Sequence, residues 1–274
     1  MDCFYINLDS ALERRNKIQS NFDMYSTQGW SLTRFPAINV AQAENYQGSL
    51  WDRGKACYLS HKMLIEKHLE HKPILVLEDD AQFGKSTCSV IEKFLNNQQS
   101  LDWDIVFTDL AVTNPFDALK LIHKRTRSTE TVSLLPLQDL SFCGATAYLV
   151  NPKSKSILLD LLDGDITVPF DLKLKDAILN KKLKGFTFFP FLTTLSDEAE
   201  KSQIGGVREE KFPHQDPEVN LVLAWNLFRK MIWADREHDN FKDQLSDLTS
   251  FVDDETLEYM PVVAAMISKS FLLR

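Results

Sequence analysis

The chain has 274 residues, 44% of them hydrophobic and 26% charged. That fits one large domain, or one domain with an appendage, built around a full core. The net charge of −8 argues against general nucleic-acid binding, which needs a basic face.

In chain order, Cys3-Phe4-Tyr5-Ile6-Asn7-Leu8 reads as a first buried strand. No basic stretch followed by a long apolar stretch precedes it, so no signal peptide is expected. Asp9-Ser10, with Glu13 three residues after Ser10, predicts a capping box and a helix burying Leu12, Ile18 and Phe22. Residues 31–38 predict a second strand with Phe35 and Ile38 inward, and residues 39–54 a loop. Residues 55–70 predict a helix carrying Cys57, Leu59, His61, Leu64, Ile65 and Leu69.

Pro73-Ile74-Leu75-Val76-Leu77 is a short apolar run that ends in Glu78-Asp79-Asp80. A buried strand closing on three carboxylates delivers negative charge to the carboxyl edge of a sheet, where open α/β sheets bind ligands. Like charges side by side repel, so a positive partner is expected. A hard divalent cation with oxygen ligands, Mg²⁺ or Mn²⁺, is the simplest one. A solvated acidic turn is the plainer alternative. Alternation along a strand sends Glu78 and Asp80 one way and Asp79 the other. Asp80 is then the preferred direct ligand, with Glu78 assisting.

Further on, residues 87–97 predict a helix and Asp104-Ile105-Val106-Phe107 a strand ending at Thr108-Asp109. Residues 110–130 read as a polar, irregular loop. Strands follow at 131–135 and 145–150, a helix from Asn151-Pro152 to Leu162, a helix opening at Phe170-Asp171, and a strand at Phe186-Thr187-Phe188-Phe189. Alternating strands and helices up to about residue 195 imply an α/β sheet with helices on both faces. From Pro217 the strand signals stop and helical periods appear at 218–235 and about 255–272. A boundary near residue 213 therefore separates an α/β domain, 1–213, from a helical C-terminal extension, 214–274. Leu221, Leu223, Trp225, Leu227, Phe228, Met231, Ile232 and Trp233 are too many apolar residues for a solvated helix. They must cover the core, a second subunit or a membrane surface; packing on the core or a homodimer contact is favoured over peripheral membrane contact.

Cys3, Cys57, Cys88 and Cys143 are scattered and form no C-x-x-C pair. That spacing predicts neither a disulfide framework nor a zinc site, and reduced thiols in a cytosolic protein are its simplest account. No apolar run has the length needed to cross a bilayer. The expected location is cytoplasmic, with peripheral attachment to the inner face of the membrane left open.

Four segments resemble glycosyltransferase family 25, which includes lipooligosaccharide galactosyltransferases and relatives of the collagen galactosyltransferases. They are Ile6-Asn7-Leu8-Asp9 with Glu13-Arg14-Arg15; Gly54-Lys55-Ala56-Cys57-Tyr58-Leu59-Ser60-His61; Leu75-Val76-Leu77-Glu78-Asp79-Asp80-Ala81; and Gly144-Ala145-Thr146-Ala147-Tyr148-Leu149-Val150 followed by Pro169-Phe170-Asp171. Ser202-Gln203-Ile204-Gly205 is a weaker match, and Lys55 stands where the family usually has an acid. The resemblance implies a GT-A-like, Rossmann-type mixed sheet flanked by helices, a UDP-sugar donor (commonly UDP-galactose), a divalent metal and inversion at the anomeric carbon. It implies metal binding by Asp80 and Glu78, and donor contacts from Asn7, Leu8, Asp9, Arg14, Ser60, His61, Glu78, Asp79, Ser202 and Gln203. It implies Asp171 as the base that takes the acceptor hydroxyl's proton. A helix N-cap is the competing reading of Asp171, and a satisfied structural residue that of His61. Asp109 reads as structural before catalytic, and His214 as a loop residue. The expected acceptor is a lipooligosaccharide, lipopolysaccharide or other surface glycan, free or lipid-linked. A metal-dependent phosphohydrolase and a non-catalytic nucleotide or glycan binder are the rival readings.

Overall fold

The computed structural model describes residues 1–97, 101–127, 131–200, 225–226 and 228–235. Its strands are β1 (Asp2–Asn7), β2 (Ser31–Pro36), β3 (Ile74–Glu78), β4 (Ala81–Phe83), β5 (Ile105–Val112), β6 (Ser133–Pro136), β7 (Phe142–Val150), β8 (Gly185–Phe189) and β9 (Thr193–Leu195). Its α-helices are α1 (Leu12–Tyr25), α2 (Val40–Ala43), α3 (Asp52–His68), α4 (Thr87–Asn97), α5 (Pro115–Arg127), α6 (Lys155–Leu161) and α7 (Phe170–Leu179).

Seven strands form one mixed sheet in the order β2-β1-β3-β7-β5-β8-β6, and β4 pairs with β9 in a small antiparallel ribbon. β1 runs parallel to β2 and β3, and β5 parallel to β8, whereas β7 is antiparallel to both β3 and β5. The expected mixed sheet flanked by helices is thus the observed architecture. β1 lies between β2 and β3, so successive connections leave it toward opposite sides of the sheet, the kind of switch point where α/β sheets bind ligands.

Strand alternation sorts the apolar side chains onto two faces. Phe4, Ile74, Val76, Phe107 and Tyr148 pack against α3, α5, α6 and α7. Tyr5, Leu75, Leu77, Val106 and Leu149 pack against α1 and α4. β5 is buried along its whole length, including Thr108 and Asp109, the polar pair at which the sequence pattern ends the strand.

Three expectations are corrected. Residues 110–127 are not an irregular loop: β5 continues to Val112 and α5 follows. Asn114 starts that helix by accepting the Phe116 N–H at 2.8 Å, and Pro115 stands first in it. A side-chain cap followed by proline is a favoured helix start, and Ala118, Leu121 and Ile122 then fall on one buried face. The capping box at Ser10 and Glu13 does not form either. Ala11 is the N-cap of α1 and makes no side-chain cap bond, while Leu8 C=O accepts its N–H at 3.1 Å. The expected loop at 39–54 holds the short α2, capped reciprocally by Asn39 and Gln42, and α3 already begins at Asp52.

The boundary expected near residue 213 lies outside the described residues. Residues 225–226 and 228–235, part of the expected extension, pack on the sheet domain. Phe228, Met231 and Ile232 are buried in its larger core. Phe191 N–H donates to Ile232 C=O at 3.0 Å and Ala234 N–H to Phe191 C=O at 2.8 Å. Asp235 accepts from Ser86 N–H and Oγ at 2.8 and 2.7 Å.

Candidate active site

A cleft of about 850 Å³ opens at the carboxyl ends of β1 and β3. Asn7, Leu8, Arg14, Ser60, His61, Glu78, Asp79 and Asp80 all line it, so one hollow collects residues separated by more than 70 positions in sequence. Asp9 is not among the lining residues; it is exposed and paired with Arg34 at 2.5 Å. Ser202, Gln203 and His214 lie outside the described residues.

β3 delivers the acidic triplet, and the protein itself meets most of that charge. Asp79 accepts from Arg14 Nη1 at 2.6 Å and from Asn7 Nδ2 at 2.7 Å. Asn7 also donates to Ala11 C=O and accepts from Arg15 and Arg34 through its amide oxygen. Its amide is therefore a hub that fixes the turn after β1. Ser60 likewise ties elements together: its Oγ donates to Ala56 C=O at 2.7 Å and accepts Ile38 N–H at 2.9 Å.

The strand ends at Glu78, so strict alternation does not run through the triplet. Asp80 Oδ2 lies 3.4 Å from the same Arg14 nitrogen that holds Asp79, so Arg14 touches both aspartates. Its Oδ1 is buried with no hydrogen-bond partner among the described residues. Burial and then the charge of Glu78 push the Asp80 carboxyl up to about 7. A buried oxygen with an unused lone pair, short of positive charge, is the donor a hard cation needs. Asp80, with Glu78 beside it, thus fits the divalent metal that the sequence resemblance implies.

Glu78 faces α3, where its Oε1 lies 3.4 Å from His61 Nε2. Burial works against its ionisation, but His61, then Arg229 and Arg14, outweigh it and hold the carboxyl below its usual range. His61 is 1% exposed. Its Nδ1 lies 2.8 Å from Tyr148 Oη, and its ring stacks on Phe170 at 4.3 Å. Cys57, one turn before His61 on α3, completes a cluster whose ligand atoms all lie within 4.8 Å of one another. The absence of C-x-x-C pairs predicted no zinc site; the fold assembles a candidate metal cluster by a route that spacing does not reveal.

Arg229 forms the wall behind the acids. Its Nε and Nη2 donate to the two oxygens of Asp109, both at 2.6 Å, and Nη2 also donates to Thr146 Oγ1 at 2.7 Å. Asp109 accordingly has a structural partner, as the sequence reading favoured. Arg229 was not foreseen as a site residue. It lies 120 positions from its partner, in a segment whose only visible pattern is apolar.

Asp171 sits in the first turn of α7, but Pro169 is the N-cap and makes no side-chain cap bond. The Asp171 carboxylate instead accepts Gly144 N–H at 2.7 Å. Gly144 has φ +88°, a conformation that glycine adopts without strain. The N-cap alternative for Asp171 is therefore not realised. Its charge lies close enough to raise the Cys57 thiol, after burial and Glu78. Lys55, the departure from the resemblance, pairs with Asp52 at 3.6 Å.

A family model described as Glycosyltransferase family 25 (LPS biosynthesis protein) matches residues 1–174. The chain belongs to glycosyltransferase family 25. The family match takes in the turn after β1, α3, the acidic triplet and Asp171, and ends within α7; Arg229 lies beyond it. A curated relative, "Glycosyltransferase 25 family member" of Aedes aegypti, is 28% identical over 125 residues. That stretch is 38% of this chain and only 20% of the relative's length. Among solved structures, that of mouse xyloside xylosyltransferase 1 in its apo form is similar over 67% of this chain and 63% of its own. Identity there is 13% and the TM-score 0.30, a likeness too loose to carry an argument about function.

Proposed function

We propose that this family 25 chain is an inverting, metal-dependent glycosyltransferase that moves galactose from UDP-galactose to a lipooligosaccharide, lipopolysaccharide or other surface glycan. The observation that carries the reading is the buried Asp80 Oδ1, without a hydrogen-bond partner among the described residues, inside a cleft large enough for a nucleotide-sugar. Family membership supports transferase chemistry; the family's printed description supports a lipopolysaccharide-type acceptor.

Asp80 and Glu78 would hold Mn²⁺ or Mg²⁺, which when bound offsets the negative charge that builds on a departing diphosphate. Arg14 and Asn7 keep Asp79 in place and so fix the backbone that presents Asp80. Arg229, held by Asp109 and Thr146, is a fixed positive charge behind the acids. Asp171 is the proposed base. Gly144 N–H anchors one of its oxygens, and the other accepts the proton of the attacking hydroxyl. Leu8, Ser60 and His61 shape the donor side of the cleft, and Ser202 and Gln203 are proposed to close over it. Asp9, exposed beside Arg34, is proposed to meet the donor only at the rim. Transfer onto a membrane-bound glycan would make the protein a peripheral visitor to the inner face of the membrane. No helix among the described residues is long and apolar enough to cross one.

Thermal unfolding with a panel of nucleotide diphosphates and nucleotide-sugars, with and without Mn²⁺, tests the reading. A ligand that binds only the folded state raises the melting temperature. A Mn²⁺-dependent rise with UDP and one UDP-sugar is expected. No rise with any nucleotide would sink the proposal.

A further inference from the structure

We propose that Cys57 Sγ, His61 Nε2 and Glu78 Oε1 form a tetrahedral Zn²⁺ site whose fourth position opens into the cleft. Three donors of the right chemistry converge here: a thiol, an imidazole and a carboxylate. Cys57 and His61 stand four apart on one face of α3, and Glu78 closes β3. Two rigid elements thus preset the site, as metal binding favours.

The spacing fits zinc. Ligand nitrogen and oxygen at about 2.0–2.1 Å from a tetrahedral ion stand about 3.4 Å apart. His61 Nε2 and Glu78 Oε1 are 3.4 Å apart, beyond an ordinary hydrogen bond. Thiolate binds at about 2.3 Å, so the cluster, whose ligand atoms all lie within 4.8 Å of one another, has to draw in by about an ångström at most to close on the ion. The remaining ring nitrogen of His61 already has the partner that zinc histidines need. With the ion on Nε2, Nδ1–H donates to Tyr148 Oη, 2.8 Å away. Stacking on Phe170, with the rings 9° from parallel, fixes the imidazole plane.

Charge also balances. Zinc displaces the thiol proton, which passes to solvent. Thiolate and carboxylate together then cancel the charge of the ion, as a buried site requires. Sulfur and imidazole donors select zinc over Mg²⁺ or Mn²⁺, which prefer the all-oxygen environment of Asp80. Glu78 cannot serve both sites fully, so zinc would compete with the hard cation. That consequence rests on the proposed transferase reaction; the zinc site does not.

The test uses the full-length, reduced, metal-free protein without nucleotide, with Co²⁺ as a spectroscopic stand-in for Zn²⁺. Stoichiometric titration should give a thiolate-to-cobalt charge-transfer band and the visible bands of a tetrahedral ion, both abolished by Zn²⁺. Cys57→Ser should lose the charge-transfer band while keeping a cooperative melt. Tyr148→Phe should keep the band and weaken Zn²⁺ binding about 10–100-fold; unchanged affinity would overturn the orienting role of Tyr148. A wild-type protein without the band overturns the site. Persistence of the band in Cys57→Ser does the same, since the thiolate would then be Cys3, Cys88 or Cys143. With no nucleotide present, either failure leaves the Mn²⁺-dependent binding of UDP-sugar to be judged separately.

Discussion

Removing Arg229 tests how the site is held together. Its side chain is 6% exposed and that of Asp109 0%, and three bonds of 2.6–2.7 Å join it to Asp109 and Thr146. Arg229→Met keeps most of the stem's packing but strands a buried carboxylate. Breaking a buried pair in this way costs about 3–5 kcal/mol. In Asp109→Leu/Arg229→Met the stranded charge is gone, and most of that loss should return. The dependence on pH has a definite sign. Burial raises the Asp109 carboxyl above 3.8 even with Arg229 beside it, and loss of Arg229 raises it further. A raised carboxyl supports the fold below its unfolded value, and that support is lost as pH climbs through its folded value. The Arg229→Met deficit should therefore be smallest near pH 4 and grow by up to about 1.4 kcal/mol per pH unit above it. Urea unfolding across that range measures this directly. A deficit under about 1 kcal/mol, a deficit that does not change with pH, or a double variant as weak as the single one would refute the reasoning.

Three other outcomes are expected. Asp171→Asn should lower turnover about 10²–10⁴-fold while leaving the Mn²⁺-dependent nucleotide shift in melting temperature intact; full turnover would remove Asp171 as the base. Asp80→Asn should abolish that shift, and an unchanged Mn²⁺ dependence would move the metal elsewhere. Gly48→Ala should destabilise the fold by more than about 2 kcal/mol, because φ is +136° and a Cβ would meet Ile166 C=O at 2.1 Å. Chemical denaturation checks it, and a loss under about 0.5 kcal/mol, the range of an ordinary surface change, would show that the loop carrying Gly48 yields easily.

Much of the chemistry was legible because it is local. An apolar run closing on Glu78-Asp79-Asp80 can hardly be other than a buried strand with its charge at the ligand-binding edge. Glycine, cysteine and histidine at the start of α3, and the strand-to-helix block from Gly144 to Asp171, were readable for the same reason. The helix at 115–127 was missed despite the start signal Asn114-Pro115, because the polar residues around Ala118, Leu121 and Ile122 masked their spacing. By itself, then, the sequence determined the α/β class, the placement of the acids and the family, since these follow from patterns within a few residues. Only the tertiary structure decided which charges meet. It set Arg14 on Asp79, Arg229 on Asp109 and His61 beside Glu78, and left Asp80 Oδ1 without a partner among the described residues. Those pairings join positions 17 to 120 apart, and the energy of a buried charge depends on what lies within a few ångströms of it, a quantity that no local pattern encodes.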